Sequence, residues 1–273
     1  MHENDGPVTP AGGDDASSGA APDGGAGPDS TATDDAGLLA LLRAAPVLAG
    51  PLPEFDPDGA PDTPGPLLAA WLRQALADGV PEPHVMTLAT AAADGTPSAR
   101  VLMLRGIDTA ACAVDFASDA ASRKGRDLAE NPRAALTWYW PAQGRQIRLS
   151  GRVHVLDTET ARRDFLGRSP ASRAAGFTGS MSGTLTGAMA YERARAEAEA
   201  LVAAEPGRVP DGHTVYRLRA QEAEFFQADP GRFHVRLRYA REDEAAGARE
   251  REGGRDDAGG PGAAGWTRTL LWP

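Results

Sequence analysis

Glu224-Phe225-Phe226-Gln227, followed after four residues by Arg232-Phe233-His234-Val235-Arg236-Leu237-Arg238-Tyr239, decides how this chain of 273 residues is read. An apolar, aromatic strand pattern runs into alternating Arg232, His234 and Arg236. On an extended strand those three side chains share one face, because the side-chain period is two. Three cationic or proton-carrying groups on one face suit an anion. The competing reading is an exposed sheet edge blunted by basic residues, and the stretch by itself does not choose between them.

Upstream, further strands and one short helix arrive in order. Residues 67–76 have helical spacing and Gly79 is placed to end the helix. Residues 85–90 are strand-like, Asp94-Gly95 is a strong turn signal, and residues 98–105 return as the partner strand. Residues 113–116, 134–140 and 146–155 supply three more strands. Helices are expected at 158–167 and 188–204 as outer packing elements, after which residues 213–218, 223–227 and 235–239 resume the strands and 266–272 close the chain. This succession predicts a mainly β fold with peripheral helices, an antiparallel barrel rather than a parallel sheet.

The ends differ in composition. Residues 1–35 hold eight carboxylates and no Lys or Arg, so they carry −8 of the formal −10 and leave −2 for the remainder. Such a segment buries too little apolar surface to offset its ordering entropy. Residues 1–50 are therefore expected to be a disordered acidic tail, and residues 51–273 one domain with a flexible insertion at about 242–265. No apolar run reaches the roughly 18 residues of a membrane span, and the N-terminus lacks the basic start and apolar core of a signal peptide. A soluble cytoplasmic protein is the expectation. The lone cysteine, Cys112, gives neither a disulfide framework nor a metal cluster. The basic residues form no continuous patch with interleaved aromatics, so no nucleic-acid partner is expected.

Candidate chemistry concentrates in a few places. Ser122 is a plausible N-cap for a helix that Pro132 stops, which puts Arg123 and Lys124 in the first turn. The helix dipole repels cations there unless an anion is bound beside them; the alternative is that both are simply solvated. Arg100 is positioned to add a third anion contact, and the Gln146 amide offers the donor and acceptor that a flat heterocycle with imide-like edges requires. Dinucleotide, Walker, zinc-protease and nucleophile-elbow motifs are missing from the sequence.

The hairpin strand Arg100-Val101-Leu102-Met103-Leu104, the block Ser122-Arg123-Lys124, the Gln146 strand ending in Ser150-Gly151, the region 165–172 and the stretch 224–236 together resemble the pyridoxamine 5′-phosphate oxidase family of FMN split barrels. The likeness covers about residues 53–241 and resumes at 266–273. It implies an FMN-binding split β-barrel and a homodimer with two FMN molecules in clefts at the subunit interface. By position, Arg100, Arg123 and Lys124 match phosphate and ribityl contacts; Ser118, Gln146 and Ser182 match further flavin contacts; and Arg236 matches a signature arginine. Phe226 stands where the family usually has tryptophan. Arg168, Ser172, Arg232 and His234 match positions that hold pyridoxal phosphate, whereas Arg105 replaces a lysine and Asp164 a tyrosine.

Within the family, residues 122–128, Tyr139-Trp140 with Gly144-Arg145-Gln146-Ile147, residues 165–169 and residues 236–239 are similar to the flavin oxidases of phenazine biosynthesis. The implied activity is an FMN-dependent oxidase passing a hydride equivalent from a small anionic reduced N-heterocycle, such as a dihydrophenazine carboxylate, to FMN and then O2, giving H2O2. His234 and Arg232 would be its catalytic groups, and Arg168, Ser172 and Arg105 would join them in substrate binding. The alternatives are a pyridoxine/pyridoxamine 5′-phosphate oxidase making pyridoxal 5′-phosphate, a non-catalytic flavin- or haem-binding barrel, and a deazaflavin-dependent reductase.

Overall fold

The computed structural model describes residues 35–179, 181–242 and 265–273, and the chain divides into two units at Pro46/Val47. In the first unit the described residues hold one helix, α1 (Asp35–Ala44). Most of the segment expected to be a structureless acidic tail lies outside the described residues, but α1 departs from that expectation. Alanine and leucine have high intrinsic helix propensity, and Asp35 in the first turn and Arg43 in the last both suit the helix dipole.

The second unit begins its regular structure with α2 (Pro64–Ala77). Prolines in the first turn cost nothing where N–H groups have no helical partner, and Leu67, Leu68, Trp71, Leu72 and Ala75 form the buried stripe. The hairpin of β1 (Val85–Ala91) and β2 (Pro97–Met103) turns at Gly95, whose φ is +85°, while Asp94 Oδ1 accepts the Thr96 N–H at 2.8 Å. β3 (Gly106–Asp108), β4 (Ala113–Asp119), α3 (Arg123–Glu130), β5 (Arg133–Trp140) and β6 (Arg145–Val155) follow. Then come α4 (Thr158–Leu166), α5 (Pro170–Ala175), α6 (Ala188–Ala204), β7 (His213–Gln227), β8 (Val235–Arg241) and β9 (Trp266–Leu271).

Among the described residues the strands form a nine-stranded sheet ordered β2-β1-β5-β6-β7-β4-β3, with β8 on β7 and β9 on β8. Only Leu104 and Arg105 separate β2 from β3, which stand at opposite ends of that order, so the chain itself carries the sheet round into a barrel. The split arises on β7. One of its edges takes β6, while the other takes β4 along its first half and β8 along its second. This is the expected mainly β split barrel with peripheral helices.

The core is the barrel interior, where Leu88, Phe116, Leu136, Trp138, Ile147, Leu149, Leu218 and Phe225 are fully buried. Trp71 closes one side of it edge-on to Phe225, with ring centroids 5.3 Å apart. Each such side chain contributes about 1.5–3 kcal/mol by burial. Tyr239 is buried too, and its hydroxyl donates to the Pro61 carbonyl at 2.7 Å.

Three local expectations change. The two strands expected at 213–218 and 223–227 are the single 15-residue β7, bent where the register shifts opposite Ser150/Gly151. There the Gly151 backbone lies so close to Arg219 that a Cβ would stand 2.0 Å from its carbonyl oxygen. β3 was not anticipated. The insertion expected at 242–265 falls almost wholly outside the described residues. No helix among those residues is long and apolar enough to cross a membrane.

Candidate functional site

The N-terminus of α3 is built around Ser122. Its buried Oγ caps the helix by accepting the Gly125 N–H at 3.2 Å, lies 3.1 Å from Ser118 Oγ, and accepts from Lys124 Nζ at 3.3 Å. Gly125 lets the helix rest on the preceding turn, since a Cβ there would meet the Ala120 carbonyl oxygen at 2.2 Å. The Arg123 N–H donates to Ser182 Oγ at 3.3 Å. Arg100 reaches in from β2, its guanidinium donating to Thr90 Oγ1 at 2.8 Å and Ser98 Oγ at 2.7 Å. Asp127 steers it from 3.9 Å while accepting from Thr90 Oγ1 at 2.6 Å.

Burial lowers the pKa of Arg100 and of Lys124; the charge of Arg123 adds to the effect on Arg100, and the charge of Arg100 adds to that on Lys124. Two cations thus crowd a partly dehydrated helix N-terminus. Lys124 is half-buried, which disfavours the reading of this first turn as merely solvated, although Arg123 is exposed. The donor set fits a phosphate monoester: ammonium, guanidinium, hydroxyls and a helix N-terminus.

A second group adjoins it. Asp164 on α4 accepts from Arg105 Nε at 2.7 Å and Arg168 Nη2 at 2.6 Å, and its Oδ2 lies 3.0 Å from His213 Nε2. Burial acts to raise the Asp164 pKa, but hydrogen bonds from His213 and Arg105 and the charge of Arg168 outweigh it, holding the carboxyl well below the usual carboxylate range. A recess of about 140 Å³ is lined by Ser118 and Lys124 on one side and Arg168, His213 and Phe165 on the other. Ser172 does not join this cluster: it is exposed near the start of α5, with its Oγ 3.0 Å from Ser169 Oγ.

The third group lies on the far half of the sheet. Gln146, Phe226 and Arg236 are register partners across β6, β7 and β8, and so share one face as a row. The neighbouring Arg145 points the other way into the core, 4.2 Å over the Trp71 ring and bonded to Gln227 Oε1 at 2.9 Å and Gln74 Oε1 at 2.8 Å, which pins the orientation of Gln146. Arg236 donates to Glu224 Oε1 at 3.0 Å and to the Trp272 carbonyl at 2.8 Å.

The shared strand face expected of Arg232, His234 and Arg236 does not form. β8 begins at Val235, and Arg232 sits exposed in a turn with φ +70°. Asp229 makes that turn, its carbonyl accepting the Arg232 N–H at 3.0 Å and its Oδ1 the Phe233 N–H at 3.3 Å. The Asp229 N–H in turn donates to His234 Nδ1 at 3.0 Å. Because an amide can only donate, Nδ1 is the bare nitrogen and a neutral His234 carries its proton on Nε2. The His234 ring lies 5.1 Å from that of Phe226, at the end of the Gln146–Phe226–Arg236 row.

The first two groups and the third lie toward opposite ends of β7. Ser118 pairs with Thr214 near the start of β7 and Gln146 with Phe226 near its end, about 12 residues or roughly 40 Å of strand apart. Reading the sequence alone missed His213, Thr90 and Asp127. Only Asp127 left a trace, as an acidic residue inside the Ser122–Leu128 block.

A family model described as pyridoxamine 5′-phosphate oxidase matches residues 72–226, and one described as the pyridoxine 5′-phosphate oxidase C-terminal dimerisation region matches residues 213–273. The chain is similar to a pyridoxine/pyridoxamine 5′-phosphate oxidase of Burkholderia vietnamiensis, 39% identical over 189 residues, 69% of this chain and 86% of the relative. Among solved structures it is similar to PhzG from Burkholderia lata in complex with tetrahydrophenazine-1-carboxylic acid, with a TM-score of 0.69, 32% identity, and coverage of 82% of this chain and 100% of that one. A pyridoxamine 5′-phosphate oxidase-related FMN-binding protein of Nostoc punctiforme shares the fold, at 17% identity and a TM-score of 0.55 over 75% of this chain and 96% of that one.

Proposed function

The chain belongs to the pyridoxamine 5′-phosphate oxidase family, and on that footing we propose an FMN-dependent homodimeric oxidase that takes a hydride equivalent from a reduced, flat, anionic N-heterocycle of the dihydrophenazine-carboxylate kind. The electrons pass to O2, giving H2O2. The observation that carries this reading is the single recess in which Ser118 and Lys124 stand beside Arg168 and His213, since it joins a phosphate cradle to a second cationic group. The similarity to PhzG, whose structure contains tetrahydrophenazine-1-carboxylic acid, favours this substrate class.

When bound, FMN supplies the two-electron chemistry. Arg100, Arg123 and Lys124, with Ser118 and Ser182, would hold its phosphate and neighbouring hydroxyls. Gln146 would offer the flavin an amide donor and acceptor, with Phe226 and Arg236 on the same sheet face; Phe226 lacks the indole N–H that tryptophan would offer. Arg168 and Arg232 hold the substrate anion. His234, with its proton on Nε2, would be the group to hold or move a proton at that atom. The separation along β7 supports a site in which the phosphate cradle comes from one subunit and the Gln146–Phe226–Arg236 row from the other, and the match to a C-terminal dimerisation region supports the homodimer this requires.

A second reading, oxidation of pyridoxine or pyridoxamine 5′-phosphate, is favoured by the curated relatives of that name. Anaerobic mixing of FMN-loaded protein with each substrate separates the two. Bleaching of the visible flavin band by a dihydrophenazine carboxylate alone is the expected result. Bleaching by pyridoxamine 5′-phosphate at a comparable rate would transfer the assignment to the second reading, and an unreduced flavin with both would remove both substrates.

A further inference from the structure

We propose that Asp164 sets the charge of the anion this site accepts, by committing the guanidinium groups of Arg105 and Arg168 to itself and so favouring a planar monoanionic carboxylate over a phosphate monoester. The inference rests on the reading of Arg168 as a contact for the substrate anion. Three donors from three parts of the chain converge on this one carboxylate: Arg105 between β2 and β3 at 2.7 Å, Arg168 after α4 at 2.6 Å, and His213 at the start of β7 at 3.0 Å. Two guanidinium charges against one carboxylate leave a single net positive charge while His213 is neutral. Arg168 commits only Nη2 to Asp164 and is itself part of the wall of the recess, which leaves donors of that guanidinium for a ligand there.

A carboxylate ligand brings one charge and two coplanar oxygens, which match the unused part of one guanidinium. A phosphate monoester brings about −1.5 to −2 at neutral pH and needs more donors. It would also place its extra charge beside Asp164, which repels it. The position therefore works by excluding one ligand as much as by holding another. Arg105 is the balancing partner, because without it Asp164 would cancel Arg168 outright.

The test measures dissociation constants of pyridoxal 5′-phosphate and of phenazine-1-carboxylate for the FMN-loaded protein from changes in the visible flavin spectrum, which requires no turnover. In Asp164→Asn the preference for carboxylate over phosphate should move toward phosphate by about tenfold or more. In the double variant Asp164→Asn/Arg105→Gln, which restores the charge balance, the ratio should return to within about threefold of wild type. An unmoved ratio in Asp164→Asn, or an equal loss for both ligands, overturns the proposal. Should Asp164→Asn fail to take up FMN, Arg105→Gln alone decides: it should weaken the phosphate ligand about tenfold more than the carboxylate, and equal weakening overturns the proposal. If neither ligand binds the wild type, the parent reading falls and this inference with it. If both bind and the ratio does not respond, only this inference falls.

Discussion

Lys124 is held where a lysine is least comfortable, half-buried in the first turn of a helix and next to Arg100. Burial first, and Arg100 second, lower its pKa from the ordinary 10.5. A base with a lowered folded pKa costs stability while it is charged, so the flavin-free protein should recover some stability as pH rises from that lowered value toward 10.5. A bound phosphate reverses the balance by supplying the missing anion. FMN affinity should therefore fall on the alkaline side earlier than an ordinary lysine would allow, and Lys124→Met should flatten that fall. The same substitution should weaken FMN binding by about 10- to 100-fold, the worth of a charge-assisted hydrogen bond of about 1.5–3 kcal/mol, as read by flavin fluorescence titration across pH. His234 is constrained differently, since the Asp229 N–H occupies Nδ1 and leaves Nε2–H as its only donor. His234→Phe should lower kcat/KM by about 10²-fold, the lower end of what a positioned proton donor contributes, with flavin content unchanged. Loss of flavin in that variant would instead assign His234 to holding the cofactor.

α3 turns these side chains into a site because it sits directly on the Ala120–Ser122 turn, and Gly125 is what permits the approach. In Gly125→Ala the new methyl would meet the backbone oxygen of Ala120, which cannot swing aside. The helix start must then shift, lowering stability by about 1–3 kcal/mol and weakening FMN binding with it. Thermal melts with and without FMN test this: a melting temperature that falls while the FMN-induced increment is unchanged would contradict the link. α3 was legible in the sequence because Ser122 and Pro132 mark its two ends, and the β1–β2 hairpin was legible because Asp94-Gly95 specifies its turn. β7 was read as two strands because the bulge opposite Ser150/Gly151 interrupts its alternation at Arg219–Glu222. Arg232 was misplaced on a strand because alternation in sequence cannot reveal that Asp229 has already organised residues 229–234 into a turn. β3, with three residues, is too short for periodicity to register. The pairing of Arg105 with Asp164 spans 59 residues, and only the barrel brings the two together. What local pattern missed here is contact between distant parts of the chain.

The barrel is also the ground for proposing that one chain does not make one site. β7 is paired with β6 from Tyr216 to its end, while its other edge passes from β4 to β8, so the proposed phosphate cradle gathers around one end and the Gln146–Phe226–Arg236 row around the other. About 12 residues of strand, roughly 40 Å of contour along β7, separate the two, which is why the proposed site is completed by a second subunit. Deletion of residues 1–35 should leave dimerisation and turnover intact by size-exclusion chromatography and oxygen uptake. A sharper consequence follows from mixing variants. Arg100→Ala/Lys124→Met disables the cradle, and Arg236→Ala disables the row, so each homodimer should turn over slowly at an FMN concentration that only just saturates the wild type. When the two are co-refolded in equal amounts, half of the dimers are mixed, and in each of these one site combines an intact cradle from one subunit with an intact row from the other. Its second site carries both defects. Activity should therefore recover to about a quarter of the wild-type value for random C2 pairing, with flavin bound at one site per mixed dimer. Were cradle and row to serve the same site within one chain, every site in the mixture would still carry a defect and mixing would restore nothing.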